Sequence, residues 1–229
     1  MRKTSFIVNA GSRVGCAALC LVALLLSLTS CSESDGTENE FDNWKERNDS
    51  FFNSIYNQAK SAVDSGSKEW KVIRQWSLPE AVGTNPENHI VARVLNEGQG
   101  SGCPLYTDTV YVHYRLRYIP TTQHPQGPVI EETWAGEYNL ATMSPRKISV
   151  AAISGWETAL QNMHIGDRWL LYVPYQLAYG TADYQPSSSS GKIYGCSVLI
   201  YDVTLVAYYR KGQVVPAWKS KHSDVWTTD

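Results

Sequence analysis

Between positions 153 and 180 the chain reads ISGWETALQNMHIGDRWLLYVPYQLAYG. What this stretch can do is bounded by what it lacks: no obvious nucleophile, no metal-ligand spacing and no phosphate-binding loop accompany it. The five histidines (His89, His113, His124, His164 and His222) are scattered, and each reads as a surface or packed side chain rather than a ligand. The residue types left over are aromatic: Trp156 and Tyr179 within the stretch, Tyr114 before it and Tyr201 after it. Aromatics on strands are ordinarily core residues, and by type alone Trp156, Tyr114 and Tyr201 read that way. The alternative is that they wall a pocket, whose chemistry would be that of shape and exclusion of water.

Charge narrows the partners. Arg2 and Lys3 precede an apolar run over 14–28 that ends Leu28-Thr29-Ser30-Cys31, the pattern of a secretory signal. A run of fifteen residues is shorter than the roughly 20 a spanning helix needs. The last four resemble a bacterial lipobox, which would leave Cys31 as the lipidated first residue; the plain alternative is an ordinary cleavage site with a cysteine beside it. The SESDGTENEFD that follows is acidic and aperiodic, a solvated tether, and resembles the export signals of surface lipoproteins in Bacteroidota. Removal of residues 1–30 takes Arg2, Lys3 and Arg13 from the 20 basic residues and nothing from the 22 acidic ones, leaving a net charge of −5. A chain so balanced, without a basic cluster, lacks the footprint of a nucleic-acid binder. Cys103 and Cys196 remain beside Cys31, two thiols free to pair or not, and too few for a disulfide framework.

The elements that must position the aromatics follow from periodicity. Over 41–63, Phe41, Trp44, Phe51, Phe52, Ile55, Ala59 and Ala62 recur near a 3.6-residue period, which predicts an amphipathic helix. That helix either packs on the main domain or pairs two copies of the chain. The period then falls to two, with strands predicted at 70–73, 89–95, 109–118, 168–173 and 197–208. A loop is predicted over 120–128, where prolines bar a central strand. One internal helix is expected over 155–163, with a turn at 164–167. The chain divides into a signal peptide (1–30), a tether (31–40), the N-terminal helix (41–66), a main domain (67–210) and a tail (211–229). Five to six antiparallel strands and one short helix make an α+β domain, a curved sheet with the helix on one face.

These residues also spell a family. Ala152-Ile153-Ser154-Gly155-Trp156, Met163-His164-Ile165-Gly166-Asp167 and Val173-Pro174-Tyr175-Gln176-Leu177-Ala178-Tyr179-Gly180 resemble, in order, the central block of FKBP-type peptidyl-prolyl isomerases. Val110-Tyr111-Val112-His113-Tyr114 resembles a flanking strand of that family, and Leu199-Ile200-Tyr201-Asp202-Val203-Thr204-Leu205 its last strand. The resemblance spans roughly 88–208. It implies the FKBP-like fold and a substrate pocket with Trp156 as floor and Tyr114, Ile153, Tyr179, Ile193 and Tyr201 as walls. Ala152 and Ile130 would add substrate contacts, Glu131 would stand where the family has Asp, and a further wall residue falls at or beside Ile148. In the family the hydroxyl matching Tyr179 and the backbone N–H matching Ile153 bind substrate carbonyls. The resemblance implies Pro-containing polypeptide substrates, no cofactor and no metal.

A pocket of this kind needs no nucleophile. Rotation about a peptide bond breaks amide resonance against a barrier of about 18–20 kcal/mol, and X-Pro bonds relax in tens to hundreds of seconds. The twisted amide has lost the charge separation of the planar one, so removal from water penalises it less than the ground state. Some positions depart from the family: Arg115-Leu116 stand where a small residue and Gly are usual, Ile130 replaces a Phe, and Ile193-Tyr194-Gly195 replaces Ile-Pro-Pro. These leave a second function open, an FKBP-like binding module or chaperone with weak or no isomerase activity.

Overall fold

The computed structural model describes residues 39–140, 143–185 and 191–215. The signal peptide, Cys31, most of the tether, the serine run at 187–190 and the end of the tail therefore lie outside the described residues. The amphipathic period over 41–63 yields helix α1, Trp44–Asp64. Its stripe of Trp44, Asn48, Phe52, Tyr56 and Ala59 is buried, while Lys45–Asp49 and Lys60–Asp64 ion pairs lie on the outer side. The helix stops where Gly66 turns left-handed at φ 85°, a conformation that glycine adopts without steric penalty.

Seven strands follow: β1 (Trp70–Arg74), β2 (His89–Asn96), β3 (Thr109–Arg117), β4 (Val129–Glu132), β5 (Arg146–Ser149), β6 (Arg168–Val173) and β7 (Leu199–Tyr209). Helix α2, Ser154–Leu160, lies between β5 and β6. The sheet is antiparallel, in the order β1-β2-β6-β7-β3-β4, with β5 also paired to β3. The five strands expected from alternation are present. The additional two, β4 and β5, are four residues each, too short for alternation to register.

Alternation assigns the faces. Ile90, Ala92, Val110, Val112, Tyr114, Leu171, Val173, Leu199, Tyr201 and Val203 pack with Trp156, Ala159 and Leu160 of α2. Their neighbours of opposite parity, Val91, Tyr172 and Ile200, pack with Trp44, Phe52, Tyr56 and Ala59 of α1. The sheet thus carries a helix on each face, which is why β7 is apolar almost throughout rather than alternating. The apolar stripe of α1 packs on its own sheet. Cys103 and Cys196 are both free thiols.

Part of the face opposite α2 is covered by irregular chain. There His113 is fully buried, edge-on to Trp134 and Tyr138, with Nδ1 3.3 Å from Thr133 Oγ1 and Nε2 without a partner. Burial pushes its pKa down to about 4. The folded value lies below the ordinary one near 6.5, so the unfolded chain binds the proton more tightly and stability falls as pH drops from about 6.5 towards 4. The full shift corresponds to on the order of 3 kcal/mol. Thermal melts between pH 7 and pH 4.5 should show this slope, and His113→Gln should flatten it; an unchanged slope in that variant would assign the effect to other groups.

Candidate active site

The pocket is built by register. In antiparallel pairs, residues directly opposite share a face. Leu116 faces Glu131 across β4, Val112 faces Arg146 and Val110 faces Ile148 across β5, and Leu116 faces Tyr201 across β7. All lie on the α2 side of the sheet. The loop after β5 brings Ala151, Ala152 and Ile153, and α2 brings Trp156. The segment between β6 and β7 adds Tyr179, Tyr184 and Ile193. With Leu116, Glu131, Arg146, Ile148 and Tyr201, these residues line one cavity of about 330 Å³. All ten residues expected around a pocket are among its lining: Tyr114, Ile130, Glu131, Ile148, Ala152, Ile153, Trp156, Tyr179, Ile193 and Tyr201.

Three aromatic rings make the base. The Trp156 indole lies 5.6 Å from Tyr114 and 5.0 Å from Tyr201, centroid to centroid, and Tyr114 lies 6.1 Å from Tyr201. The inclined geometries, 77°, 59° and 63°, are those that ring quadrupoles favour. Trp156 is held from behind because Gly155 sits against Val173: a Cβ there would lie 2.3 Å from Val173 Cγ1.

One polar edge was not legible beforehand. Arg146 Nη1 donates to the Tyr114 hydroxyl at 2.5 Å and also to the Glu131 carboxylate, with its guanidinium 5.3 Å from the Tyr114 ring centre. Burial opposes the Arg146 charge, but the bonds to Glu131 and Tyr114 outweigh it and hold its pKa above the ordinary value. Tyr184 was also missed; its ring stacks on Tyr179 at 4.2 Å and 14°. Nothing in the sequence marks either residue, since an isolated Arg beside Pro145 and a Tyr in a polar loop both read as solvated.

Burial raises the pKa of the Tyr114, Tyr179 and Tyr201 phenols. For Tyr114 the Glu131 charge adds to burial while Arg146 offsets part of it. For Tyr179 burial comes first, then Tyr184 and Glu131, and for Tyr201 burial dominates. They therefore stay protonated at neutral pH, as neutral donors. Among the described residues, neither the Tyr179 hydroxyl nor the Ile153 N–H is engaged in a hydrogen bond, which leaves both available to a guest carbonyl. The arrangement can desolvate a small apolar ring and grip the polar groups beside it.

Residues 103–206 match the family model described as FKBP-type peptidyl-prolyl cis-trans isomerase. The macrophage infectivity potentiator of Trypanosoma cruzi is 34% identical over 131 residues, 56% of this chain and 57% of its own length. The FKBP-type 22 kDa peptidyl-prolyl cis-trans isomerase of Escherichia coli strain K12 is 31% identical over 137 residues, 59% of this chain and 57% of its own. The chain thus spans little more than half the length of these curated relatives. Among solved structures, FkpA from Escherichia coli superposes with a TM-score of 0.49 at 20% identity, covering 88% of this chain and 74% of that one.

Proposed function

We propose, for a chain whose residues 103–206 form an FKBP-type peptidyl-prolyl cis-trans isomerase domain, that the protein accelerates rotation of X-Pro bonds in folding polypeptides without covalent catalysis. The observation that carries this reading is the cavity itself: a Trp156 floor, the neutral phenols of Tyr114, Tyr179 and Tyr201, and two unengaged donors around a space of about 330 Å³. The proline ring rests on Trp156 between Tyr114 and Tyr201. Tyr179 Oη and Ile153 N–H hold the carbonyls flanking the rotating bond, and Arg146 fixes Tyr114 and Glu131 at the rim. Water is excluded from an amide that becomes less polar as it twists, so the twisted form is favoured over the planar one.

A protease-coupled isomerisation assay on Pro-containing tetrapeptides tests this. Tyr179→Phe keeps the stacked ring and removes one donor. A net hydrogen bond is worth about 0.5–1.5 kcal/mol, so kcat/KM should fall roughly two- to twelvefold, with an unchanged melt. Complete loss of activity would imply proton transfer through Tyr179, and no change would place its hydroxyl away from the substrate. Wild-type protein that binds Pro-peptides without turning them over would be the binding module instead.

The cellular setting is part of the same proposal. Cys31 serves as the lipidated first residue of the mature chain, which anchors the domain to the outer membrane, on its periplasmic or outer side, where envelope and secreted proteins fold. Several acyl chains are needed for stable anchoring, since one gives only marginal binding. Cys31→Ser is expected to move the protein from the membrane to the soluble fraction; a variant that still fractionates with membranes would overturn the anchor.

A further inference from the structure

The wall residue Ile193 is 3% exposed, yet it belongs to no strand of the sheet. Its own backbone bonds go to Tyr184, N to O and O to N, each at 2.8 Å. The rest of the strap over 192–198 is tied down by side chains. Tyr118 Oη donates to Lys192 O at 2.6 Å and accepts from Tyr194 N–H at 3.1 Å. Trp44 Nε1 of α1 donates to Ser197 Oγ at 2.8 Å, and Ser197 Oγ donates on to Tyr194 O at 2.6 Å. Asn48, fully buried one turn further along α1, accepts from Val198 N–H at 2.8 Å and donates to Trp44 O at 2.7 Å.

Two more observations concern the same strap. The rings of Phe41, Trp44, Tyr118 and Tyr194 contact one another at 4.4–5.9 Å. Cys196 is left-handed at φ 60°, and a non-glycine residue persists there only where surrounding contacts over-determine it.

We propose that Trp44 and Asn48 are positioning residues for the pocket: they act through Ser197, Tyr194 and Val198 to set where Ile193 closes its wall. The N-terminal helix is then part of the substrate site without touching substrate, and Pro-peptide affinity depends on how α1 is seated. This inference rests on the isomerase reading for its kinetic consequence, though not for its geometry.

The test uses the full chain, assayed well below its melting temperature. Trp44→Phe keeps a ring in the aromatic layer and removes only the donor; Ser197→Ala cuts the same relay from the other end. Each should raise KM roughly two- to tenfold, the worth of one hydrogen bond, with kcat within twofold of wild type. The double variant should be no worse than the poorer single. The Ile193 methyl signal in a 13C-labelled sample should move in every variant. A lowered Tm with unchanged KM and an unmoved Ile193 signal would overturn the proposal, as would multiplying effects in the double variant. Should wild type turn over no Pro-peptide, the isomerase reading fails on its own, and the Ile193 signal alone decides: displaced in Trp44→Phe supports positioning, unmoved overturns it.

Discussion

Trp156→Ala is expected to lower kcat/KM for Pro-peptides roughly ten- to hundredfold, because burial of a ring against the indole contributes about 1.5–3 kcal/mol. The same change should destabilise the fold by about 3–5 kcal/mol, the usual range for removing a large aromatic from a core. For a domain of this size that lowers Tm by roughly 6–20 °C. The stability loss is one of packing alone, since Trp156 Nε1 is buried without a hydrogen-bond partner among the described residues. What disappears is the inclined contact with Tyr114 and Tyr201, and the cavity then opens downward towards Leu160 and the sheet. Trp156→Phe should recover part of both losses. A folded Trp156→Ala protein with kcat/KM within twofold of wild type would place the proline ring elsewhere.

Gly155→Ala should be nearly as damaging to turnover while adding only a methyl group. The new Cβ would lie 2.3 Å from Val173 Cγ1 and 3.2 Å from Leu177 O. Val173 is fully buried in β6, and as a β-branched residue it has few rotamers into which to retreat. The start of α2 must therefore shift, carrying Trp156 with it. Overpacking of this kind costs about 1–3 kcal/mol, against which the higher helix propensity of Ala returns up to about 1 kcal/mol. A displacement near 1 Å at a site that works by shape can cost on the order of a hundredfold in rate, so kcat/KM should fall more than the melt suggests. Val173→Ala removes the obstructing methyls, and the double variant Gly155→Ala/Val173→Ala should regain most of the lost kcat/KM. If it does not, the close approach at Gly155 is incidental to the position of the floor.

How much of this was readable in advance depends on where the information lies along the chain. The ten pocket residues could be named because the ordered motifs resemble those of FKBP-type peptidyl-prolyl isomerases and assign them position by position; by type alone Tyr114, Trp156 and Tyr201 read as core. Arg146 could not. It sits on a four-residue strand, and its reach to Tyr114 and Glu131 exists only once β5 and β4 have both paired with β3. Tyr184 acquires its place only through the bridge to Ile193, across a stretch that reads as turn. The period of α1 marked Trp44 as facing inward but not what it faces: Ser197 is 153 residues away in sequence. Asn48 fell outside the apolar count altogether, although its buried amide is what holds Val198. Apolar period reveals a face, and a polar residue within that face reveals its partner only after folding.

The strand order has a consequence for how the molecule is made. β7, with β6 on one side and β3 on the other, is the last of the described strands and joins the two halves of the sheet. Without residues 199–209, β1, β2 and β6 pair as one ribbon and β3, β4 and β5 as another, and among the described residues no strand pairing links the two. Neither ribbon closes the cavity, because Tyr201 is still missing. Pairing of β3 with β7 joins residues about ninety positions apart, the kind of non-local contact that slows folding. A chain of this design keeps its sheet in two parts until β7 has paired. Joining of the sheet and completion of the cavity wall are then one event, since both wait for β7.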